Sequence, residues 1–321
     1  MNHISYLKRT EIDLHRWNNL VSGSVNGLIY ANTHYLDHLA GNWAALVLND
    51  YQAVIPLTYK KKYGIRYLYQ PAFCQQLGII GDFTDNESRL ILKKAAELFP
   101  FAEISLNYAN QAHLPDSIDL TNDTHITILA DPTYQSTART TSNNYIIDLE
   151  AGYQKISEAF SGDLRKNLQR VKQFPFEYRE GHDPKAAIHL YRHQYGKRFP
   201  HVTKNNYNAL QEYASQFPGQ VLIREVWHHN TMLAIVLCLA DSKRIYFLLS
   251  TIMEEGRKLE ANHFLIDQLV REFSGKPLIL DFEGSDIQGI AAFYSGFGAV
   301  NQPYPRIKWN HLPWPWKLFK H

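Results

Sequence analysis

The chain has 321 residues, a formal net charge of +2, and hydrophobic and charged fractions of 45% and 20%. That length accommodates two domains of ordinary size, and the near-balanced charge excludes a global electrostatic drive onto nucleic acid, so no DNA partner is expected. Two cysteines, Cys74 and Cys238, are too few for a disulfide framework; with no apolar run of about 18 residues and no apolar signal core near the N-terminus, a cytoplasmic protein without an integral membrane segment is the expectation.

In chain order, a polar amphipathic stretch comes first, around Ile12 to Leu20. Two apolar runs follow, Ala44 to Leu48 and Ala53 to Leu57, separated by Asn49-Asp50, which predicts a β-hairpin. Ile65 to Tyr69 reads as a third strand. Leu90, Ile91, Ala95, Leu98 and Phe99 recur at helical spacing, with Asn86 as the expected cap and Pro100 as the stop. Glu103 to Leu106 and Ile126 to Leu129 read as strands.

The second half repeats the order. Tyr145 to Leu149 predicts a strand. One long helix is expected to carry Ile156, Phe160, Leu164, Leu168 and Val171 on one face. A second helix runs from Pro184 to about Arg198. Val221 to Trp227 and Leu233 to Leu239 form a hairpin around His228-His229-Asn230, and Ile245 to Leu249 is the next strand. A helix with Phe264, Leu265, Leu269, Val270 and Phe273 ends at Gly275 and Pro277. Leu278 to Phe282 is the last strand of the repeat. Each half therefore reads as hairpin, strand, helix, strand: an α/β chain with mixed sheets and parallel crossovers. The polar segment Asp131 to Asn144 suits the boundary. The expected domains are 1–140 and 141–321, the second ending in an aromatic, basic tail from His311 to His321.

The residues from Tyr145 to Arg306 include a basic helix (Leu164 to Arg170), Asp281-Phe282-Glu283-Gly284-Ser285, Gly289-Ile290-Ala291-Ala292-Phe293-Tyr294 and Phe297-Gly298-Ala299. This pattern resembles the Fem family of aminoacyl transferases and its relatives, which are built from two acetyltransferase-like (GNAT) modules. Tyr69-Gln70-Pro71-Ala72-Phe73-Cys74-Gln75-Gln76-Leu77-Gly78 is similar to bacterial members of the same superfamily. The resemblance implies two tandem GNAT modules and transfer of an acyl or aminoacyl group. The co-substrate would be acyl-CoA or aminoacyl-tRNA, with no tightly bound cofactor. The acceptor would be a small-molecule, peptidyl or sugar amine, and tRNA is a candidate partner. Two departures stand out. Fem enzymes carry Phe-Lys where this chain has Phe293-Tyr294, which speaks against peptidoglycan bridge synthesis. The loop from Met253 to Ala261 has one glycine and two acidic residues where acetyl-CoA enzymes have a glycine-rich phosphate loop.

Candidate site residues follow the last strand of the second half, where ligands of open α/β sheets gather. Glu283 or Asp281 can accept the proton of an acceptor amine, and Tyr294 can donate one to a leaving group. Ser285, Tyr304 and Arg306 are candidate substrate contacts; Arg306 suits a carboxylate or phosphate. Tyr69, Gln70, Gln75 and Gln76 form a polar loop able to read neutral hydrogen-bonding groups. Leu249 and Ser250, with Gly256, Arg257 and Asn262 near a helix start, are the candidate donor contacts. Each set also has a plain structural reading: a turn and cap for 281–286, sheet tyrosines, an exposed loop at 256–258. Arg165, Lys166, Arg170 and Lys172 read either as a solvated helix face or as contacts to a polyphosphate or tRNA backbone. His189 and His193 lack the glutamate of an H-E-x-x-H zinc site, and no G-x-S-x-G elbow marks a hydrolase. The competing function is a degenerate, non-catalytic module that binds a ligand or a protein.

Overall fold

Apolar runs bounded by turn residues become strands, and stretches of 3.6-residue period become helices, over residues 2–114, 138–284 and 286–312, which the computed structural model describes. The expected strand Ile126 to Leu129, Ser285 and the tail from Pro313 lie outside the described residues. In chain order the elements are β1 (Ile4–Lys8), α1 (Leu14–Gly23), α2 (Thr33–Leu39), β2 (Trp43–Leu48), β3 (Ala53–Lys62), β4 (Ile65–Tyr69), β5 (Ile80–Gly81), α3 (Asp85–Leu98), β6 (Phe101–Ser105) and β7 (Ala138–Ser142). There follow β8 (Tyr145–Asp148), α4 (Tyr153–Glu158), α5 (Gly162–Val171), β9 (Phe176–Gly181), α6 (Pro184–Tyr195), α7 (Lys204–Gln216), β10 (Val221–His228), β11 (Thr231–Ala240) and β12 (Arg244–Ile252). The last are α8 (Glu254–Lys258), α9 (Ala261–Phe273), β13 (Ile279–Asp281), α10 (Gln288–Gly296), β14 (Val300–Asn301) and β15 (Tyr304–Asn310).

The chain forms two units: residues up to Ser142 with those from Pro303 onward, and residues from Asn143 to Gln302. In the first, the sheet runs β1-β2-β3-β4-β6-β15-β7, with β5 also on β3. All six residues of β2 are buried, which explains its unbroken apolar run. The parallel pair is β4 with β6, Leu68 opposite Ala102 and Tyr69 opposite Glu103. Leu46, Ile55, Leu92, Phe99, Ile307 and Trp309 belong to its core. In the second unit the sheet runs β14-β8-β13-β12-β11-β10-β9. Its parallel pair is β12 with β13. Its core gathers Val236, Leu265, Leu269, Leu280 and Phe282 among others, with Cys238 fully buried as an apolar residue.

Both expected hairpins are present, Ala45 opposite Pro56 in one and Glu225 opposite Ile235 in the other. Several expectations are corrected. The expected single long helix is two, α4 and α5, because Ser161 caps a new start, accepting from the Leu164 N–H at 3.2 Å. Its apolar face survives the break: Ile156, Phe160, Leu164 and Val171 are buried. The cap of α3 is Thr84, not Asn86, because Thr84 and Glu87 close a capping box. The strands β1 and β9 and the helix α7 add to the pattern expected from the sequence.

The largest correction concerns the end of the chain. The expected second domain ran to residue 321, yet β15 lies in the first unit's sheet, antiparallel to β6 and β7. Its alternation decides this. Ile307 and Trp309 are each 1% exposed in the first core, and the Trp309 Nε1–H donates to the Phe99 carbonyl at 2.8 Å. The site candidates Tyr304 and Arg306 therefore belong to the first unit.

Candidate active site

The second unit holds a gap between two parallel strands. β12 pairs with β13 only from Arg244–Ile279 to Tyr246–Asp281. β12 then continues to Ile252, and its register against β11 shifts between Leu237 and Leu239. An irregularity of this kind adds local bend and twist to a strand. Among the described residues no strand pairs with β12 on that side beyond Tyr246.

Asp281 sits at the fork. It is 1% exposed; one oxygen accepts from Arg244 at 2.7 Å and the other from the Glu283 N–H at 3.0 Å. Arg244 also donates to Gln302 at 2.9 Å. Both carboxylate oxygens are thus engaged, and Asp281 holds the strand end in place rather than facing a ligand. Glu283 follows with φ +62° and Gly284 with φ +73°. A left-handed conformation at a non-glycine residue costs on the order of 1 kcal/mol, and the bond from its N–H to Asp281 helps hold it. Burial pushes the Glu283 carboxyl up to about 8, because charge there is poorly solvated.

Tyr294 comes from α10. Its ring stacks on Phe282, centroids 4.2 Å apart at 13°, and Phe282 leans on Phe247 at 5.7 Å. Burial raises the Tyr294 phenol, and the neighbouring Tyr191 and Glu283 raise it further. Glu283 and Tyr294 are therefore near neighbours. Tyr191 of α6 joins them, its phenol pushed up to about 12 by burial. One turn on, Gln194 donates to the Ile252 carbonyl at 2.9 Å and to the Tyr195 hydroxyl at 3.0 Å.

The donor candidates lie along β12 and after it. Leu249 is buried opposite Leu237, and Ser250 is half-buried opposite Val236. Gly256 is buried in α8, where an added Cβ would lie 2.2 Å from the Leu233 carbonyl oxygen. Its role is close packing on β11. The N–H groups of Arg257, Leu259, Glu260 and His263 donate to carbonyls of Met253, Glu255, Arg257 and Glu260. The loop thus spends these amides on its own helix turns. Arg257 is exposed, 3.5 Å from the Tyr195 hydroxyl, and Asn262 is half-buried in the first turn of α9. On α5, Arg170 pairs with Glu260 at 2.7 Å, Lys166 with Asp163 at 3.5 Å, and Arg165 donates to the Glu158 carbonyl at 2.7 Å.

A family model described as "Acetyltransferase (GNAT) domain" matches residues 160–283. That span includes the forked strands and ends on Glu283. The chain has the tandem acetyltransferase fold. The structure of FemX covers 98% of this chain and 99% of its own at 12% identity, with a TM-score of 0.64. A conserved protein of unknown function from Bacteroides thetaiotaomicron covers 95% and 99% at 10% identity, TM-score 0.59. A tandem GNAT protein from the clavulanic acid biosynthesis pathway covers 97% and 99% at 8% identity, TM-score 0.51. No curated protein matches the sequence.

The two acetyltransferase modules differ where their parallel strands part. In the first, residues 70–80 fill the fork. The Ser105 N–H donates to Gln70 Oε1 at 3.0 Å, and Gln70 Nε2 donates to the Cys74 carbonyl at 2.9 Å. Gln76, 1% exposed, accepts from the Tyr108 N–H at 2.8 Å and donates to Gln75 at 2.8 Å. Leu77 continues the ladder as a parallel bridge to Leu106. The Tyr69 hydroxyl donates to the Ala40 carbonyl. The loop expected to read a substrate instead closes its own module. Tyr304 is buried in β15, and Arg306 lies 3.7 Å from Glu103. The geometry thus gathers Glu283, Tyr294, Leu249 and Ser250 in one module and places Tyr69, Gln70, Gln75, Gln76, Tyr304 and Arg306 in the other. Arg244, Tyr191 and Gln194 were not among the sequence candidates. Tyr191 and Tyr195 at i and i+4 were the legible signal, since they share one helix face.

Proposed function

We propose that the second module transfers an acyl or aminoacyl group to an amine in the cleft between β12 and β13, with Glu283 as the proton acceptor. The observation that carries this reading is that β12 and β13 stop pairing at Tyr246 and Asp281, with the Glu283 carboxyl just beyond the parting point. The amine nitrogen attacks the acyl carbon, forming the C–N bond. The donor's thioester or ester bond breaks, the amine proton passes to Glu283 directly or through water, and the leaving sulfur or oxygen takes a proton from Tyr294 or solvent. A carboxyl near 8 matches this task better than one near 4, because it holds the proton more strongly. N–H groups of β12 between Leu248 and Ser250 would stabilise the developing oxyanion.

The donor is acyl-CoA or aminoacyl-tRNA, and the acceptor a small-molecule, peptidyl or sugar amine. The non-catalytic alternative is not favoured, because among the described residues no strand pairs with β12 beyond Tyr246 in this module, whereas Leu77 and Leu106 continue the ladder in the other. Among the described residues no helix is long and apolar enough to cross a membrane. The test supplies both donor classes with mixed amines and follows donor consumption. Wild-type turnover should fall roughly 10²-fold in Glu283→Gln with folding intact. No turnover with either donor class, or an unchanged rate in the variant, sinks the reading.

A further inference from the structure

The first module carries a projecting ribbon that its core does not use. β3 pairs with β2 only as far as Thr58, and β4 pairs with β6 only from Leu68 onward. Between these points the two strands pair with each other alone among the described residues: Lys60 opposite Tyr67, Lys61 opposite Arg66 and Lys62 opposite Ile65. Burial in β3 ends with Thr58; Tyr59 is half-buried, and Lys60, Lys61 and Lys62 are exposed. The turn is Tyr63-Gly64, with φ +50° and +81°. A two-residue turn with both φ positive favours Asn-Gly. A bulky residue there is a backbone outlier, and Tyr63 is also 74% exposed.

Four cations surround that tip. Lys60 and Lys62 lie on one face of the ribbon, Lys61 and Arg66 on the other. Lys60 is 4.2 Å from the Tyr69 ring, Lys62 is 5.3 Å from the Tyr63 ring and Arg66 is 5.4 Å from the Phe99 ring. Among the described residues none of the four forms an ion pair. Lys61 and Arg66, directly opposite, repel one another. A second feature lies at the same end of the sheet. β15 finishes there, with Asn310 opposite Phe101, and the His311 N–H donates to the Pro100 carbonyl at 2.7 Å. The rings of Phe101 and Tyr67 are 6.2 Å apart, so β15 ends beside the ribbon. The sequence after Leu312 carries Trp314, Trp316, Lys317, Leu318, Phe319 and Lys320, a mixture of aromatic, apolar and cationic residues that suits a membrane–water interface.

We propose that the β3–β4 ribbon docks this unit end-on upon an anionic phospholipid surface, with Tyr63 at headgroup level and Lys60, Lys61, Lys62 and Arg66 on lipid phosphates. Cations on both faces of a ribbon reach one plane together only when its tip points at that plane. An anionic surface offsets the repulsion between Lys61 and Arg66, and a tyrosine gains from a boundary that is apolar on one side and wet on the other. A nucleic acid offers the same phosphates without an acyl layer for the aromatic and apolar residues. The proposal does not rest on the transfer centre, because it uses residues of the first unit alone.

The test sediments the full chain with vesicles of phosphatidylcholine alone and of phosphatidylcholine mixed with phosphatidylglycerol. The chain should co-sediment with the anionic vesicles, less so at high salt, and not with the neutral ones. Each cation removed should weaken partitioning roughly fivefold, so Lys60→Gln, Lys61→Gln and Lys62→Gln together should weaken it roughly 10²-fold. Tyr63→Asn gives the turn its favoured Asn-Gly pair. Its melting temperature should hold or rise while binding to anionic vesicles falls several-fold; a purely structural role would not separate the two. No co-sedimentation with anionic vesicles, equal co-sedimentation with neutral ones, insensitivity to the combined lysine variant, or unchanged binding in Tyr63→Asn would each overturn the proposal. So would displacement from anionic vesicles by an oligoribonucleotide at equal phosphate concentration, which would assign the ribbon to nucleic acid.

Discussion

Glu283 carries the proposed chemistry, and its titration is measurable. Its carboxyl is pushed up to about 8 by burial, well above the ordinary carboxylate range. As a base it works only when ionised, so wild-type turnover should climb with pH and level off above about 8, while any residual rate in Glu283→Gln should not show that step. The same shift has a stability consequence. Between the unfolded value and about 8 the folded chain holds a proton that the unfolded chain has released, so wild-type stability falls as pH rises through this window. Glu283→Gln removes the penalty. Its melting temperature should match the wild type near pH 4 and exceed it increasingly towards about pH 8; a difference independent of pH would contradict the burial argument. Asp281 behaves otherwise. Asp281→Asn weakens a buried ion pair with Arg244 and should cost about 3–5 kcal/mol of stability. Denaturant unfolding checks this, and a stable variant that lost only turnover would restore Asp281 as a catalytic candidate.

Elements differ in how much of their behaviour is local. The caps of α3 and α5 are local: Thr84 with Glu87, and Ser161, act within one turn. The break between α4 and α5 was therefore readable from Ser161-Gly162, but the continuous apolar face from Ile156 to Val171 masks it. The short helix α8 is not local. Gly256 exists there because the Leu233 carbonyl passes within reach of any Cβ. Gly256→Ala should destabilise the fold by about 1–3 kcal/mol through overpacking. If instead the variant melts like the wild type and loses donor affinity, the glycine belongs to a phosphate loop after all. The fork in the first module makes the same point. Gln70 and Gln76 look like exposed amides in a loop, yet each satisfies a backbone N–H of the strand or turn beside it.

At the scale of the molecule, the last strand returns to the first unit. Ending the chain after Gln302 removes β15, which bridges β6 and β7 and buries Ile307 and Trp309. The first unit should then lose protection of β6 from hydrogen exchange, while β10, β11 and β12 of the second unit keep theirs. Protection of β6 that survives the truncation would show that β15 is dispensable.

The sequence by itself determined most of the element types, though not β1, β9, β15 or α7, together with both hairpins, the two parallel crossovers and the strand end that bears Glu283. These follow from periodicity and turn chemistry, which act over a few residues. The tertiary structure alone decided three things: that Asp281 is bound to Arg244 from a neighbouring strand, that residues 70–80 close one fork while the other stays open, and that Tyr304 and Arg306 leave the module whose chain precedes them. Each depends on partners tens to hundreds of positions away. A carboxylate, an amide or an alternating strand has the same local pattern whether it meets a ligand or its own chain, so only the packed fold distinguishes the two.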